Sequence, residues 1–443
     1  MPSATPKPKI VWTKKHWKLK SNPFPHEAIA RLGGTDLREN GLLFDPEVLP
    51  GQVAEAAEKF VLGAAYSGLR FGYLWSLGVG LEGDARGFGK SSLMQYLVEK
   101  VNEDFARDIF IRTGLEEEDA DEHPLCAVLA SFDMANARSL NAVFYEAARY
   151  ACRFKRTEEM PTLAERLRSR LIDVADTDET DQLVEFVQQE QENLRGRTLG
   201  PPVEEFLHLL CAGDAQKLGQ FVDKTTPTKR TRSGAIYLAT LLILAKAAGI
   251  EHVLLCCDQL EDFASTTTSR QKRALETERF RDYILELQPM CDMLSCVVTM
   301  HPRATQAIGA EWRLADLPSY DHDREENRHR VVILRSLDDI DHVNGLLLSY
   351  LKAFRTEDPP EDLPLHPFTA DAVEALYGRS GGKPRDILRK ASALIETGAE
   401  ENWEVIDGQK AIHVLDSLAA DDGEKYDIPA SKADPTRANL WND

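Results

Sequence analysis

The chain has 443 residues, 43 % of them hydrophobic and 28 % charged, which is enough for two or three domains and a large core. These proportions exclude a disordered, collagen-like or small disulfide-stapled protein. Lysine and arginine number 53 against 73 acids, a net charge of -20, so the average surface repels nucleic acid and any such contact needs a local basic patch.

No run of about 18 apolar residues is present, so no membrane span is expected. The longest apolar stretch, Ala235 to Ile250, is broken by Lys246. No signal peptide is apparent. The seven cysteines (126, 152, 211, 256, 257, 291 and 296) form no CxxC pair and mostly lie in apolar runs. They read as buried thiols of a reducing, cytoplasmic compartment.

In chain order, residues 1 to about 21 hold six lysines and no acid, with Trp12 and Trp17 among them. The plain reading is a basic flexible tail. The sharper one is an arm that docks on nucleic acid or an acidic partner, with the indoles as anchors. Asn22-Pro-Phe-Pro25 is a turn signal. Gln52 to Tyr66 has helical spacing, and Tyr73 to Leu81 reads as a buried strand. Ser92 to Val101 is again helical. The acidic run Glu116 to Glu122 is expected as a loop. Ala127 to Phe132 reads as a strand and Leu140 to Phe154 as a helix. Residues 155–232 are polar with helical pieces at Leu163 to Val174, Gln182 to Leu194 and Val203 to Leu210, a helical insertion. Ser233 to Ala248 is a helix, Val253 to Cys257 a strand, Phe280 to Leu287 a helix and Leu294 to Thr299 a strand. This alternation predicts an α/β fold with a parallel sheet covered on both faces. From Arg335 onward four helices follow, at Asp338 to Phe354, Thr369 to Tyr377, Pro384 to Glu396 and Gly408 to Ala419. They predict a small all-α domain over 335–420. Residues 421–443 are polar and expected to be disordered.

The strongest motif is Gly87-Phe88-Gly89-Lys90-Ser91, followed by Ser92, between a predicted strand and a predicted helix. Glycines let backbone N–H groups curl toward phosphate oxygens, and the helix N-terminus adds partial positive charge. Lys90 would reach the β- and γ-phosphates and Ser91 would ligate magnesium. One position departs from GxxxxGK[ST]: Asp84 stands where glycine is expected, and Gly83 comes one residue early. A carboxylate there would repel phosphate if it faced the ligand. The plain reading is a glycine-rich turn with no ligand.

Asp258 ends the Val253 to Cys257 strand, at the rim where an open α/β sheet binds ligands. There it can hold magnesium, directly or through water. Glu261 and Asp262 follow, and either could orient or deprotonate an attacking water. The plain reading is that these acids cap the next segment.

Together these residues resemble an AAA+ P-loop ATPase, nearest to the origin-recognition-like and STAND-like branches. Leu254-Leu-Cys-Cys-Asp-Gln-Leu-Glu-Asp-Phe263 is similar to the hhhhDQxE form of the Walker B motif, and Asn22-Pro-Phe-Pro resembles the entry of AAA+ proteins of the transposition and secretion type. The resemblance implies a P-loop domain over 22–334, a lid domain over 335–420, ATP and Mg2+ as ligands, and ATP hydrolysis that drives a conformational change in a protein or nucleic-acid partner. It gives Thr299, with His301 as an alternative, the sensor 1 place. It gives Arg385, in Gly381-Gly-Lys-Pro-Arg385, the sensor 2 place. Proline in the first turn after glycine is also an ordinary helix start. An arginine finger toward a neighbouring subunit of an oligomer is implied, with Arg270, Arg273, Arg279, Arg281 and Arg303 as candidates. Two alternatives stand beside the enzyme: a slow-turnover nucleotide switch or scaffold, and a DNA-associated ATPase using the basic tail or the Lys224 to Arg232 stretch.

Overall fold

A computed structural model describes residues 8–27, 36–76, 87–131, 139–157, 159–193, 203–259, 269–291, 293–300 and 302–425. Contacts divide the chain into two compact units, one of residues 29–336 and one made of residues 1–28 together with 337–443.

The first unit is built on five parallel strands: β1 (Phe71–Ser76), β2 (Leu125–Ser131), β3 (His252–Asp258), β4 (Leu294–Met300) and β5 (Val331–Leu334). Their order across the sheet is β2-β3-β4-β1-β5. Nearly every strand residue is buried, as a sheet covered on both faces requires. The α/β class and the parallel sheet agree with the sequence pattern. β5 was not anticipated. The first strand is described as far as Ser76, and the remainder of the expected Tyr73 to Leu81 lies outside the described residues.

Side chains alternate along each strand and so divide between two layers. Tyr73, Val128, Leu255, Cys257 and Val298 face a core filled by the helices Asn141–Arg153, Pro227–Ala247, Arg270–Cys291 and Pro302–Leu314. The other face carries Ser76, Ser131, Asp258 and Thr299 toward the layer of helix Lys90–Asp104, which packs on β2, β3 and β1.

The segment expected as an insertion is helical: Leu163–Ala175, Thr180–Asn193, Glu204–Ala212 and the unanticipated Ala215–Lys224. Thr162 and Glu165 cap the first of these reciprocally, at 3.2 and 2.6 Å. Its apolar stripe is not a separate core. Leu167, Leu171, Leu183, Phe206 and Val222 join the same cluster as Tyr145 and Tyr237. The helix expected from Ser233 starts earlier, at Pro227. Lys229 and Arg230 of the basic stretch thus fall in its first turn, where Lys229 lies over the rings of Phe221 and Tyr237, and Arg230 lies over Tyr145.

The acidic run is also a correction. Glu117–Glu122 is a short helix. Three acids in its first turn suit the positive end of the helix dipole, Ala120 is buried beneath it, and Arg107 pairs with Glu117 and Asp121.

The second unit holds the helices Ile340–Phe354, Ala370–Ser380, Pro384–Glu400 and Gly408–Lys425. The last runs past residue 420, so the first five residues of the expected disordered end are helical; residues 426–443 lie outside the description. The expected flexible tail is corrected over residues 8–21, while residues 1–7 lie outside the described residues. Pro8–His16 is a helix, and Trp17, Leu19 and Phe24 are buried in this unit. Trp17 Nε1 donates to the Glu404 carbonyl at 3.0 Å, Lys20 N donates to Phe354 O at 2.8 Å, and Thr356 N donates to Lys18 O at 2.8 Å. Asn22 Nδ2 donates to the Ser392 carbonyl and hydroxyl at 3.1 and 2.9 Å. The Asn22-Pro-Phe-Pro turn thus belongs to the helical unit and not to the sheet unit. The indoles outweigh the lysines because each removes a large apolar area from water, while the ammonium groups stay at the surface.

The side chains of six of the seven cysteines are described, and all six are buried free thiols. Burial pushes Cys126 and Cys211 up to about 12 and drives Cys256 and Cys257 well above the ordinary thiol range. A Cys291→Ser protein is therefore expected to take up no iodoacetamide at pH 8 while folded and to label fully in guanidinium, read by intact mass. Labelling of the folded protein would contradict this packing.

Candidate functional site

The site is assembled at the carboxyl ends of the central strands. In parallel register Leu74 of β1 pairs with Thr299 of β4, and Cys257 of β3 pairs with Val298. Asp258 therefore stands one step past the pair beside Thr299. Neighbouring strands lie about 4.8 Å apart, so the rim from β1 across Thr299 to Asp258 spans about 10 Å.

On this rim Thr299 Oγ1 donates to Asp258 Oδ1 at 2.8 Å, and both residues are buried. The same hydroxyl accepts Gln259 N at 3.0 Å. Gln259 has φ +59°, the left-handed region that costs a non-glycine residue about 1 kcal/mol. Ser131 Oγ donates to its side-chain oxygen at 3.2 Å. The turn after β3 is thus pinned from β2 and from β4, which fixes the direction in which the chain leaves Asp258.

The glycine-rich segment supplies the opposite charge. Gly87 and Gly89 have φ of +86° and +90°, values that favour glycine at both positions. Gly89 precedes the helix, and Lys90 is the first residue of Lys90–Asp104. A 15-residue helix directs its positive dipole end to this point. Above Gly89 the space is open, since an added Cβ would meet no atom within 4 Å. The Lys90 side chain is 9 % exposed and turns back to β1, where Nζ donates to Ser76 Oγ at 2.7 Å. Phe88 is fully buried and anchors the loop. Ser91 and Ser92 are half-buried in the first helical turn.

The structure therefore brings Lys90, Asp258 and Thr299 to the same rim and the same face of the sheet, with Gly87, Phe88, Gly89, Ser91 and Ser92 at the adjoining helix start. Gly83, Asp84, Glu261, Asp262 and His301 lie outside the described residues. Arg385 stands in the helical unit, in the first turn of Pro384–Glu400, and its Nε donates to Glu27 O at 3.3 Å. The glycines before it have a local purpose. Gly381 and Gly382, at φ +59° and +71°, close the preceding helix, and a Cβ on Gly382 would fall 2.1 Å from Leu337 O. Among the arginine-finger candidates, Arg273 faces the buried Glu311 at 3.6 Å, Arg279 pairs with Glu276 at 3.1 Å and Arg281 with Asp282 at 2.7 Å. Arg270 is the most exposed of these, 3.9 Å from Glu311. The side chain of Arg303 is outside the description.

Two participants escaped the sequence reading. Ser76 holds the Lys90 amine, and its signal is a serine closing an otherwise apolar strand. Ser131 closes β2 in the same way and orders Gln259.

The donor set suits a polyanion and a small hard cation. A primary amine, a helix N-terminus and an open glycine turn favour phosphate. Hydroxyl and carboxylate oxygens, without nitrogen or sulfur ligands, suit Mg2+. No protein-family model and no curated protein matches the chain.

Proposed function

We propose that the chain is a P-loop ATPase that binds Mg-ATP at this rim and hydrolyses it. The observation that carries the reading is the placement of the Lys90 amine, at the start of a long helix behind two left-handed glycines, on the same rim as the buried Asp258–Thr299 pair. In this reading the N–H groups of Gly87 to Ser91 and the Lys90 amine bind the phosphates. Ser91 and Asp258 hold the cation. Thr299 orients the Asp258 carboxylate through its 2.8 Å hydrogen bond. Mg2+, when bound, offsets negative charge on the phosphate oxygens. Glu261, three residues past Asp258, is proposed on the resemblance to take the proton of the attacking water. Arg385 is assigned to γ-phosphate sensing, and 335–420 to a lid, on that resemblance alone. A protein partner or a second copy of the chain, in the cytoplasm, would receive the conformational output. Among the described residues no helix is long and apolar enough to cross a membrane.

The test is nucleotide binding and phosphate release by the purified chain and by Glu261→Gln. The expected outcome is retained ATP binding with turnover at least 100-fold lower in the variant, the scale on which a positioned general base acts. Bound nucleotide without turnover in the wild type would move the assignment to a switch. No binding of ATP, ADP or GTP would reject the site.

A further inference from the structure

The amino ends of β2 and β3 hold a cluster that the nucleotide site does not use. His123 ends the acidic helix segment just before β2, and Glu251 and His252 open β3. Their potential ligand atoms all lie within 4.8 Å of one another. His123 Nδ1 is 2.7 Å from Glu251 Oε2. The backbone brings the three together before any ligand arrives, because Glu251 N donates to Pro124 O at 2.9 Å, tying the entry of β3 to the entry of β2. The ring of Tyr66 stands edge-on to His123 at 4.7 Å and shields one side. All three residues are half-buried, dry enough to hold a ligand and open enough to admit one.

We propose that His123, Glu251 and His252 form a site for a divalent transition-metal ion of the zinc class. Two imidazoles and one carboxylate are a donor set for Zn2+ and not for Mg2+ or Ca2+, which take oxygen ligands. In a tetrahedral zinc site with ligand bonds of about 2.0 Å the ligand atoms stand about 3.4 Å apart, so closure needs side-chain movements of about 1 Å. Three protein ligands leave one position for water. The neighbouring charge is mixed: Asp119, Glu122 and Glu251 act on the adjacent Tyr66, while Arg70 and Lys246 act on His252. β3 rises about 3.3 Å per residue, which places this cluster about 20 Å from Asp258 and makes it independent of the nucleotide reading. A bound ion would join the segment leading into the edge strand β2 to the start of β3.

The experiment is calorimetric titration of the metal-free, full-length protein with Zn2+, without nucleotide and in millimolar Mg2+, alongside visible absorption with Co2+. The expected result is one equivalent of Zn2+ bound, a Co2+ spectrum of nitrogen and oxygen ligation, and a rise in Tm with Zn2+. Glu251→Gln, which preserves the size of the side chain and a hydrogen bond to His123, is expected to weaken Zn2+ at least 10-fold. His123→Ala with His252→Ala is expected to abolish binding. No binding by the wild type, unchanged stoichiometry and affinity in Glu251→Gln, or thiolate charge-transfer bands in the Co2+ spectrum would each overturn the proposal.

Discussion

Lys90→Ala is expected to lower ATP affinity about 100-fold and to remove turnover. The ammonium group would supply one or two charge-assisted hydrogen bonds to the β- and γ-phosphates, each of about 1.5–3 kcal/mol, and about 3 kcal/mol in total corresponds to that factor. The amine donates to Ser76 Oγ at 2.7 Å. Ser76→Ala should therefore leave the charge in place and weaken binding far less than Lys90→Ala. Both substitutions remove the same intramolecular hydrogen bond, so a shared loss of stability cancels in the comparison. Fluorescent-nucleotide titration with thermal melting as a folding check reads the difference. Equal affinities in wild type and Lys90→Ala would show that the glycine-rich turn serves only to start the helix.

The second large effect is expected at Trp17. Its ring is 1 % exposed, its Nε1 donates to Glu404 O, and its edge is packed so closely on the Pro384–Glu400 helix that a Cβ on Gly398 would stand 3.0 Å from it. Replacing such a side chain with alanine costs about 3–5 kcal/mol through lost transfer energy and the cavity left behind. In a domain of about 100 residues 1 kcal/mol shifts Tm by about 4–8 °C, so the melting step of the helical unit should fall by at least 10 °C. Lys14→Ala, at an exposed position of the same segment, is the control and should melt as the wild type does. Calorimetry resolves the two units if they melt separately. An unchanged thermogram for Trp17→Ala would show that the segment contributes nothing to the unit.

The central strands β3 and β4 were legible because each is an apolar run, too short for a helix of typical length, that stops at or near a polar residue: Asp258 and Thr299. Those endings also made Asp258 and Thr299 readable as rim residues. β5 was not readable, since Val331 to Leu334 is four residues long and stands between an arginine-rich turn and Arg335, with no periodicity to count. Ala215–Lys224 was missed because half of it is polar, and its helix is decided by the apolar stripe Leu218 and Val222 meeting a core far away in sequence. For residues 116–122 composition misled: like charges suggested a solvated loop, whereas the helix dipole and Arg107 accept them. For residues 8–21 lysine count misled in the same way. In the site, the charged and hydroxyl residues could be read from the sequence, but their hydrogen-bond support could not. Nothing local to Ser76 announces Lys90, and the left-handed Gln259 depends on contacts from β2 and β4.

The helical unit draws on residues 8–27 and on residues 337–425, with the whole sheet unit encoded between them. During synthesis the first segment leaves the ribosome about 300 residues before its partners, and units of a chain generally fold as they emerge. The sheet unit can therefore close while Trp17, Leu19 and Phe24 still have nothing to pack against. Those side chains form a temporary apolar surface on the nascent chain, a natural target for a holdase. A message truncated after Ser336 would make that surface permanent.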